Sequence, residues 1–117
     1  MSTAYLVITA ITILANAWAT GADLVPARFV VTTMTEVRVP RSWLPPLAVL
    51  KAAGAAGLLL GLLGLWPLGV AASIGLVVFF LGALAVHMRS RVFHNIAVPG
   101  IFFALAIAST VLVVAAH

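Results

Sequence analysis

One stretch of the chain, residues 52–88, contains no Asp, Glu, Lys or Arg. A helix that rises ~1.5 Å per residue needs about 20 apolar residues to span the hydrocarbon core of a bilayer. The stretch is therefore too long for one crossing and suits two crossings joined by a tight turn. We expect the motif Trp66-Pro67-Leu68-Gly69 to form that turn, because proline interrupts helices and indole rings favour the headgroup layer.

Four apolar segments separated by charged residues are long enough to cross a membrane. We predict an all-α, four-transmembrane-helix bundle that forms one domain over residues 1–117, with helices at about 4–22, 44–65, 68–87 and 96–116. The composition agrees, because 65% of the residues are hydrophobic and 7% are charged, whereas soluble domains have about a quarter of their residues charged. The first segment has no preceding basic residues and is longer than the core of a signal peptide, so we expect it to be retained.

The basic residues indicate an orientation. Four crossings place residues 23–43 and 88–95 on one face, and these loops carry Arg28, Arg38, Arg41, Arg89 and Arg91. The other face, with both termini and the Trp66 turn, has no Lys or Arg. By the positive-inside rule both loops are cytoplasmic and both termini non-cytoplasmic, in a multi-pass protein of the inner (plasma) membrane. The net charge of +4 is thus explained by topology, with membrane lipids and no nucleic acid as partners.

The cytoplasmic loop 23–43 contains one segment, Val25 to Val39, that can carry its own structure. Pro26 suits a helix start, and apolar residues recur at helical spacing, so a short helix lying on the membrane surface is one interpretation. The β-branched run at 30–33 favours extended chain equally well.

Small residues mark the predicted helix seams, because close backbone approach is what holds helices together in lipid. The second helix has Gly57 and Gly61 four residues apart, and the fourth has Gly100 and Ala104 at the same spacing. These residues predict either packing within the bundle or docking of a partner subunit.

Lys51 is the most informative polar residue, because an ammonium group in hydrocarbon costs on the order of 3 kcal/mol. Either it snorkels to the headgroups or it has a polar partner. Asn16 lies at a similar depth and is a candidate hydrogen-bond partner. Asp23 and His87 lie nearer the same surface, so the four side chains are predicted to form a polar funnel open to the cytoplasm. For Asn16 and His87, hydrogen bonding between helices is the alternative.

Few residues in the sequence suggest chemistry of their own. Arg89 follows the third span, where a cation favours the helix C-terminus and anionic lipid, and we include it in the candidate cluster. There is no cysteine, and His94 and His117 lack partners at metal-ligand spacing. No nucleophile motif, phosphate-binding glycine loop or carboxylate pair is present. We therefore expect no cofactor, no metal and no catalytic activity.

Several motifs together resemble the DoxX-like family of small four-helix membrane proteins. They are Val39-Pro40-Arg41-Ser42-Trp43-Leu44, the glycine-rich run Leu50-Lys51-Ala52-Ala53-Gly54-Ala55-Ala56-Gly57-Leu58-Leu59-Leu60-Gly61, Gly82-Ala83 with His87-Met88-Arg89, and Ala97-Val98-Pro99. Relatives in that family are associated with quinone-linked sulfur oxidation and membrane oxidoreductase assemblies, so the resemblance implies a subunit role.

Three hypotheses of function follow. The leading one is an accessory subunit that binds and stabilises or regulates a larger inner-membrane complex for lipid transport or quinone-linked electron transfer. The alternative is a small transporter or lipid-binding protein that uses the Lys51-centred funnel. The third is an enzyme acting on a quinone or lipid, with Lys51 or His87 as acid or base.

Overall fold

The computed structural model describes residues 3–25, 28–94 and 96–116, and within them it contains helices and no strand. The all-α fold is thus confirmed. The helices are α1 (Thr3–Leu24), α2 (Arg28–Glu36), α3 (Leu44–Leu62), α4 (Trp66–Arg89) and α5 (Ala97–Ala116), and a 3₁₀ turn, Arg41–Trp43, leads into α3. Four of them, α1, α3, α4 and α5, are long and apolar enough to cross a membrane.

The four long helices form a closed ring. α1 packs against α3 and α5, and α4 packs against the same two helices from the opposite side. Because consecutive crossings run in opposite directions, the start of α1, the α3–α4 turn and the end of α5 lie at one end of the bundle. α2 lies at the other end, which we call the α2 end. Which end faces the cytoplasm remains a prediction from the basic residues.

The turn between α3 and α4 differs from the sequence prediction. α3 ends at Leu62 and α4 begins at Trp66, so the turn is formed by residues 63–65 rather than by the Trp-Pro motif. Gly64 has φ +122°, which glycine adopts at the C-terminal end of a helix without steric cost. Pro67 lies in the first turn of α4, where its missing N–H donor is not needed.

Glycines bring α3 and α4 into close contact. A Cβ atom added at Gly57 would lie 2.6 Å from the Cβ of Ala72, and one at Gly61 would lie 2.7 Å from the Cα of Gly69. Real Cβ atoms do not approach other heavy atoms so closely, so any larger residue would push the helices apart. Both glycines of the predicted α3 seam therefore lie at a helix–helix contact.

The prediction that Gly100 and Ala104 form a packing seam of α5 within the bundle is wrong. A Cβ added at Gly100 would meet no described atom within 4 Å, and Ala104 is exposed. α5 packs instead through its buried residues, which are Pro99, Ala106, Ser109 and Val113. The spacing of small residues fits more than one face of α5, and the sequence does not tell which face turns inward. Gly100 and Ala104 thus do not pack within the bundle, and their role in docking remains a prediction.

The segment between α1 and α3 forms a helix, α2, rather than extended chain, and its position on the membrane surface stays a prediction. The predicted start at Pro26 lies outside the described residues. α2 buries Met34, and its Phe29 ring stacks on Trp18 of α1 with centroids 5.7 Å apart and planes inclined by 10°. α2 therefore packs on the bundle through part of its surface.

Candidate functional site

One face of α1 is polar along its length and turns into the bundle. Five buried residues form this face, Tyr5, Thr9, Thr12, Asn16 and Asp23. Their spacings return to the same side of a helix with 3.6 residues per turn. Lipid offers these groups no hydrogen bonds, so their burial inside the bundle places them where other helices can supply partners.

The middle of this polar face connects α1 to α5. The hydroxyl of Thr12 donates to the carbonyl oxygen of Ile8 at 2.8 Å, and Thr12 Oγ1 lies 2.9 Å from the Ser109 hydroxyl oxygen. A hydroxyl has one hydrogen to donate, so Ser109 is the donor in the bond between the helices.

The polar face ends in an ion pair between α1 and α3. Lys51 Nζ lies 2.7 Å from Asp23 Oδ2, and the two side chains are 14% and 4% exposed. Lys51 thus has a carboxylate partner inside the protein rather than snorkelling to the headgroups. A bond of this kind between charged groups is shorter and stronger than a neutral one.

The predicted hydrogen bond between Asn16 and Lys51 is not formed. Asn16 Nδ2 donates to the backbone oxygen of Thr12 at 2.9 Å, and Asn16 Oδ1 is buried without a partner among the described residues. The carboxylate of Asp23 carries a full charge, and a carboxamide does not, so the ammonium pairs with the carboxylate.

His87 on α4 is buried, with 5% of its surface exposed. Its Nδ1 atom lies 2.8 Å from the backbone oxygen of Ala83, and since a carbonyl only accepts, Nδ1 carries the proton of that bond. Its Nε2 atom is buried and has no partner within the part of the chain that the structure describes.

Arg89 lies outside this group. It is exposed, and its guanidinium donates to the backbone oxygen of Val37 at 3.0 Å. Ser90 donates to the same oxygen at 2.9 Å, and Arg38 donates to the backbone oxygen of Arg89 at 3.3 Å. Arg89 therefore attaches the segment after α2 to the end of α4. The prediction that Arg89 belongs to the polar cluster is wrong.

A cavity of about 550 Å³ lies at the α2 end of the bundle. Asp23, Lys51 and His87 all line it, as the predicted funnel requires, whereas Asn16 and Arg89 do not. The rest of its wall is mainly apolar and includes five aromatic side chains, those of Trp18, Phe29, Phe79, Phe80 and Phe102. Ligand sites in proteins commonly combine apolar walls with a few polar groups in this way.

Three of these aromatic residues form a connected group beside the ion pair. Lys51 Nζ lies 5.5 Å from the centroid of the Phe79 ring, within the range of a cation–π contact. Phe80 contacts the Phe79 ring edge-on with centroids 5.0 Å apart, and it lies 5.2 Å from Phe102 of α5. Sequence reasoning missed this group, although adjacent phenylalanines on α4 and α5 were its visible signal.

The fold and this cavity define a class, a multi-pass membrane protein of four spans with an ion pair inside the bundle. The family model described as the DoxX-like family matches residues 7–109, and the chain belongs to that family. A comparison with curated proteins and a comparison with solved structures each gave no match.

Proposed function

We propose that this DoxX-like protein binds a lipophilic molecule in the cavity at the α2 end. The observation that carries the proposal is an apolar cavity of about 550 Å³ with Asp23, Lys51 and His87 in its wall. Ligand sites range over roughly 300–1,000 Å³, and a small number of polar groups orients the bound molecule. The aromatic wall would hold the apolar body of the ligand and the three polar side chains its head group.

The location of the cavity supports a ligand that comes from the membrane. The cavity lies between helices that suit a bilayer, and it includes residues of α2. With the basic loops at this end, the positive-inside rule favours the cytoplasmic side of an inner membrane. The proposed ligand is therefore drawn from membrane lipids or from molecules dissolved among them.

In this proposal the chain binds its ligand without converting it. Lys51 and Asp23 are paired with each other, so neither is an unengaged acid or base. His87 Nδ1 is held by a backbone oxygen, and in this proposal His87 Nε2, which has no partner among the described residues, accepts a hydrogen bond from the ligand. A general acid–base mechanism needs a group positioned to exchange a proton with the reacting atom.

Filling the cavity tests the proposal. Ala22 lines the cavity, whereas Ala17 on the same helix is exposed. We expect wild type and Ala17→Phe to copurify in mild detergent with a lipophilic molecule that mass spectrometry detects in an organic extract. Ala22→Phe should lose it, because the added ring occupies the cavity. Equal amounts of every extracted molecule in the three samples would contradict the proposal.

A second candidate function is the accessory subunit of a larger membrane complex. It is supported by outward-facing glycines, since a Cβ added at Gly75, Gly82 or Gly100 would meet nothing within 4 Å. These glycines give no close contact inside the bundle, and in general glycine weakens a helix by about 1 kcal/mol relative to alanine. Such positions allow the helix of a partner to approach closely.

Purification of a tagged chain in mild detergent tests this second candidate. We expect stoichiometric partner subunits with wild type and with Val78→Leu, which changes an exposed position on α4. Gly75→Leu combined with Gly82→Leu should release them. Recovery of the wild-type chain alone would contradict the subunit role.

A further inference from the structure

We infer that the cavity selects an uncharged ligand and that the Asp23–Lys51 ion pair sets this selectivity. The inference rests on the proposed function and names the chemical class of the ligand. It depends on how the charges around the cavity are balanced rather than on the shape of the cavity.

The opposite charges of Asp23 and Lys51 in the wall of the cavity cancel. Among the described residues that line it, Asp23 carries the negative charge, Lys51 the positive charge, and His87 is the third titratable group. Asp23 and Lys51 are in direct contact at 2.7 Å. Arg89, which the sequence predicts for this cluster, does not line the cavity and donates to the backbone oxygens of Val37 and Arg38.

A charged ligand would thus find no free counter-charge among the described residues that line the cavity. A carboxylate or phosphate would either displace Asp23 from Lys51 or add a second negative charge beside Asp23, and a cation would either displace Lys51 from Asp23 or add a second positive charge beside Lys51. In either case one buried charge is left uncompensated, which is costly. An uncharged head group leaves the ion pair intact.

The pair also indicates which polar atom the ligand carries. An ammonium group has three N–H donors, and Lys51 uses one of them on Asp23 Oδ2. A remaining donor can serve an uncharged oxygen acceptor. The ligand class is therefore an uncharged lipophile with an acceptor oxygen, such as a carbonyl, ester or sulfonyl group.

Each half of the pair, once removed, should change the selectivity in a defined direction. Asp23→Asn leaves the Lys51 ammonium uncompensated, so the cavity should gain affinity for an anion. Lys51→Met leaves the Asp23 carboxylate uncompensated, so the cavity should gain affinity for a cation. The double variant carries neither charge and should again discriminate against both.

Three dodecyl compounds with different head groups provide the probes. Dodecyl methyl sulfone is uncharged and has acceptor oxygens, dodecyl sulfonate is its anionic counterpart, and dodecyltrimethylammonium is the cation. Binding of tritiated sulfone to the purified full-length protein is measured by scintillation proximity in one detergent. The unlabelled compounds compete, and the affinity of each charged probe is expressed relative to that of the sulfone.

We expect the relative affinity of the sulfonate to rise by about tenfold or more in Asp23→Asn, and that of the trimethylammonium to rise similarly in Lys51→Met. The double variant should return both ratios to within about threefold of wild type. Unchanged ratios in single variants that still bind the sulfone would overturn the inference and leave the proposed function standing. If a single variant does not fold, wild type is compared with the double variant. A relative affinity for either charged probe that is tenfold higher in wild type than in the double variant would overturn the inference. Absence of specific binding of all three probes to wild type would overturn the proposed function and the inference together.

Discussion

The hydroxyl oxygens of Thr12 on α1 and Ser109 on α5 lie 2.9 Å apart in the interior of the bundle. Both residues are fully buried. The contact joins the polar face of α1 to a helix that is otherwise almost entirely apolar. The bond requires that α5 turn Ser109 toward α1.

Replacing these two hydroxyls should reveal an energetic coupling. We expect Thr12→Val and Ser109→Ala each to lower the free energy of unfolding, and the double variant to lose less than the sum of the two. The difference should be about 1 kcal/mol, the usual magnitude for hydrogen bonds between membrane helices. A double-mutant cycle measured by unfolding in dodecyl sulfate provides the value. Additive losses would show that the bond does not contribute.

The α3–α4 seam should tolerate no added side chain at Gly57. Gly57→Val places a Cβ atom about 2.6 Å from the Cβ of Ala72, so the helices must separate, and we expect a loss of about 1–3 kcal/mol in unfolding free energy. Gly75→Val on α4 is the matched control, because a Cβ there meets nothing within 4 Å. If both variants unfold at the same dodecyl sulfate fraction, the seam is not where the bundle is tightest.

Replacing one residue of the ion pair should lower the free energy of unfolding more than replacing both. Lys51→Met strands the Asp23 carboxylate, which is 4% exposed, and we expect a loss of about 3–5 kcal/mol. Adding Asp23→Asn removes the stranded charge and should restore most of the stability. Thermal unfolding in a single detergent compares the three proteins. A double variant as unstable as Lys51→Met would contradict the pairing.

Two arginines adopt left-handed backbone conformations. Replacing each by glycine compares the relief of backbone strain with the loss of side-chain contacts. Arg38 has φ 60° and Arg91 has φ 55°, a region that costs a non-glycine residue about 1 kcal/mol or more. Arg91→Gly should therefore raise the unfolding free energy by about 1 kcal/mol. Arg38→Gly should gain less, because Arg38 also donates to Ser90 at 3.3 Å. The same unfolding assay decides, and a larger gain at position 38 would contradict this account.

The orientation in the membrane can be measured with introduced cysteines, since the chain has none. Thr35 on α2 is exposed, and Leu63 in the α3–α4 turn is exposed at the opposite end. We expect Thr35→Cys to react with an impermeant maleimide only from the cytoplasmic side and Leu63→Cys only from the other side. The reverse pattern would refute the predicted orientation.

The candidate site was predictable in its residue types and only partly in its pairings. The sequence identifies Asp23, Lys51 and His87 because ionisable groups are costly in the membrane and are therefore commonly functional there. Depth along the helix alone predicts Asn16 as the hydrogen-bond partner of Lys51. A one-residue change in sequence rotates a side chain by about 100° around its helix, so depth does not fix which side chains meet.

Four long helices were predictable from the amino-acid sequence, because apolar segments of that length have no stable place in water and must satisfy their own backbone hydrogen bonds in lipid. The sequence also determined which polar side chains lie within reach of the membrane. The folded bundle was needed to show that Lys51 pairs with Asp23, that α5 turns Ser109 rather than Gly100 inward, and that aromatic rings from four helices line a cavity beside the ion pair. These outcomes depend on the rotation of each helix about its axis, and that rotation is set by packing among all four helices at once.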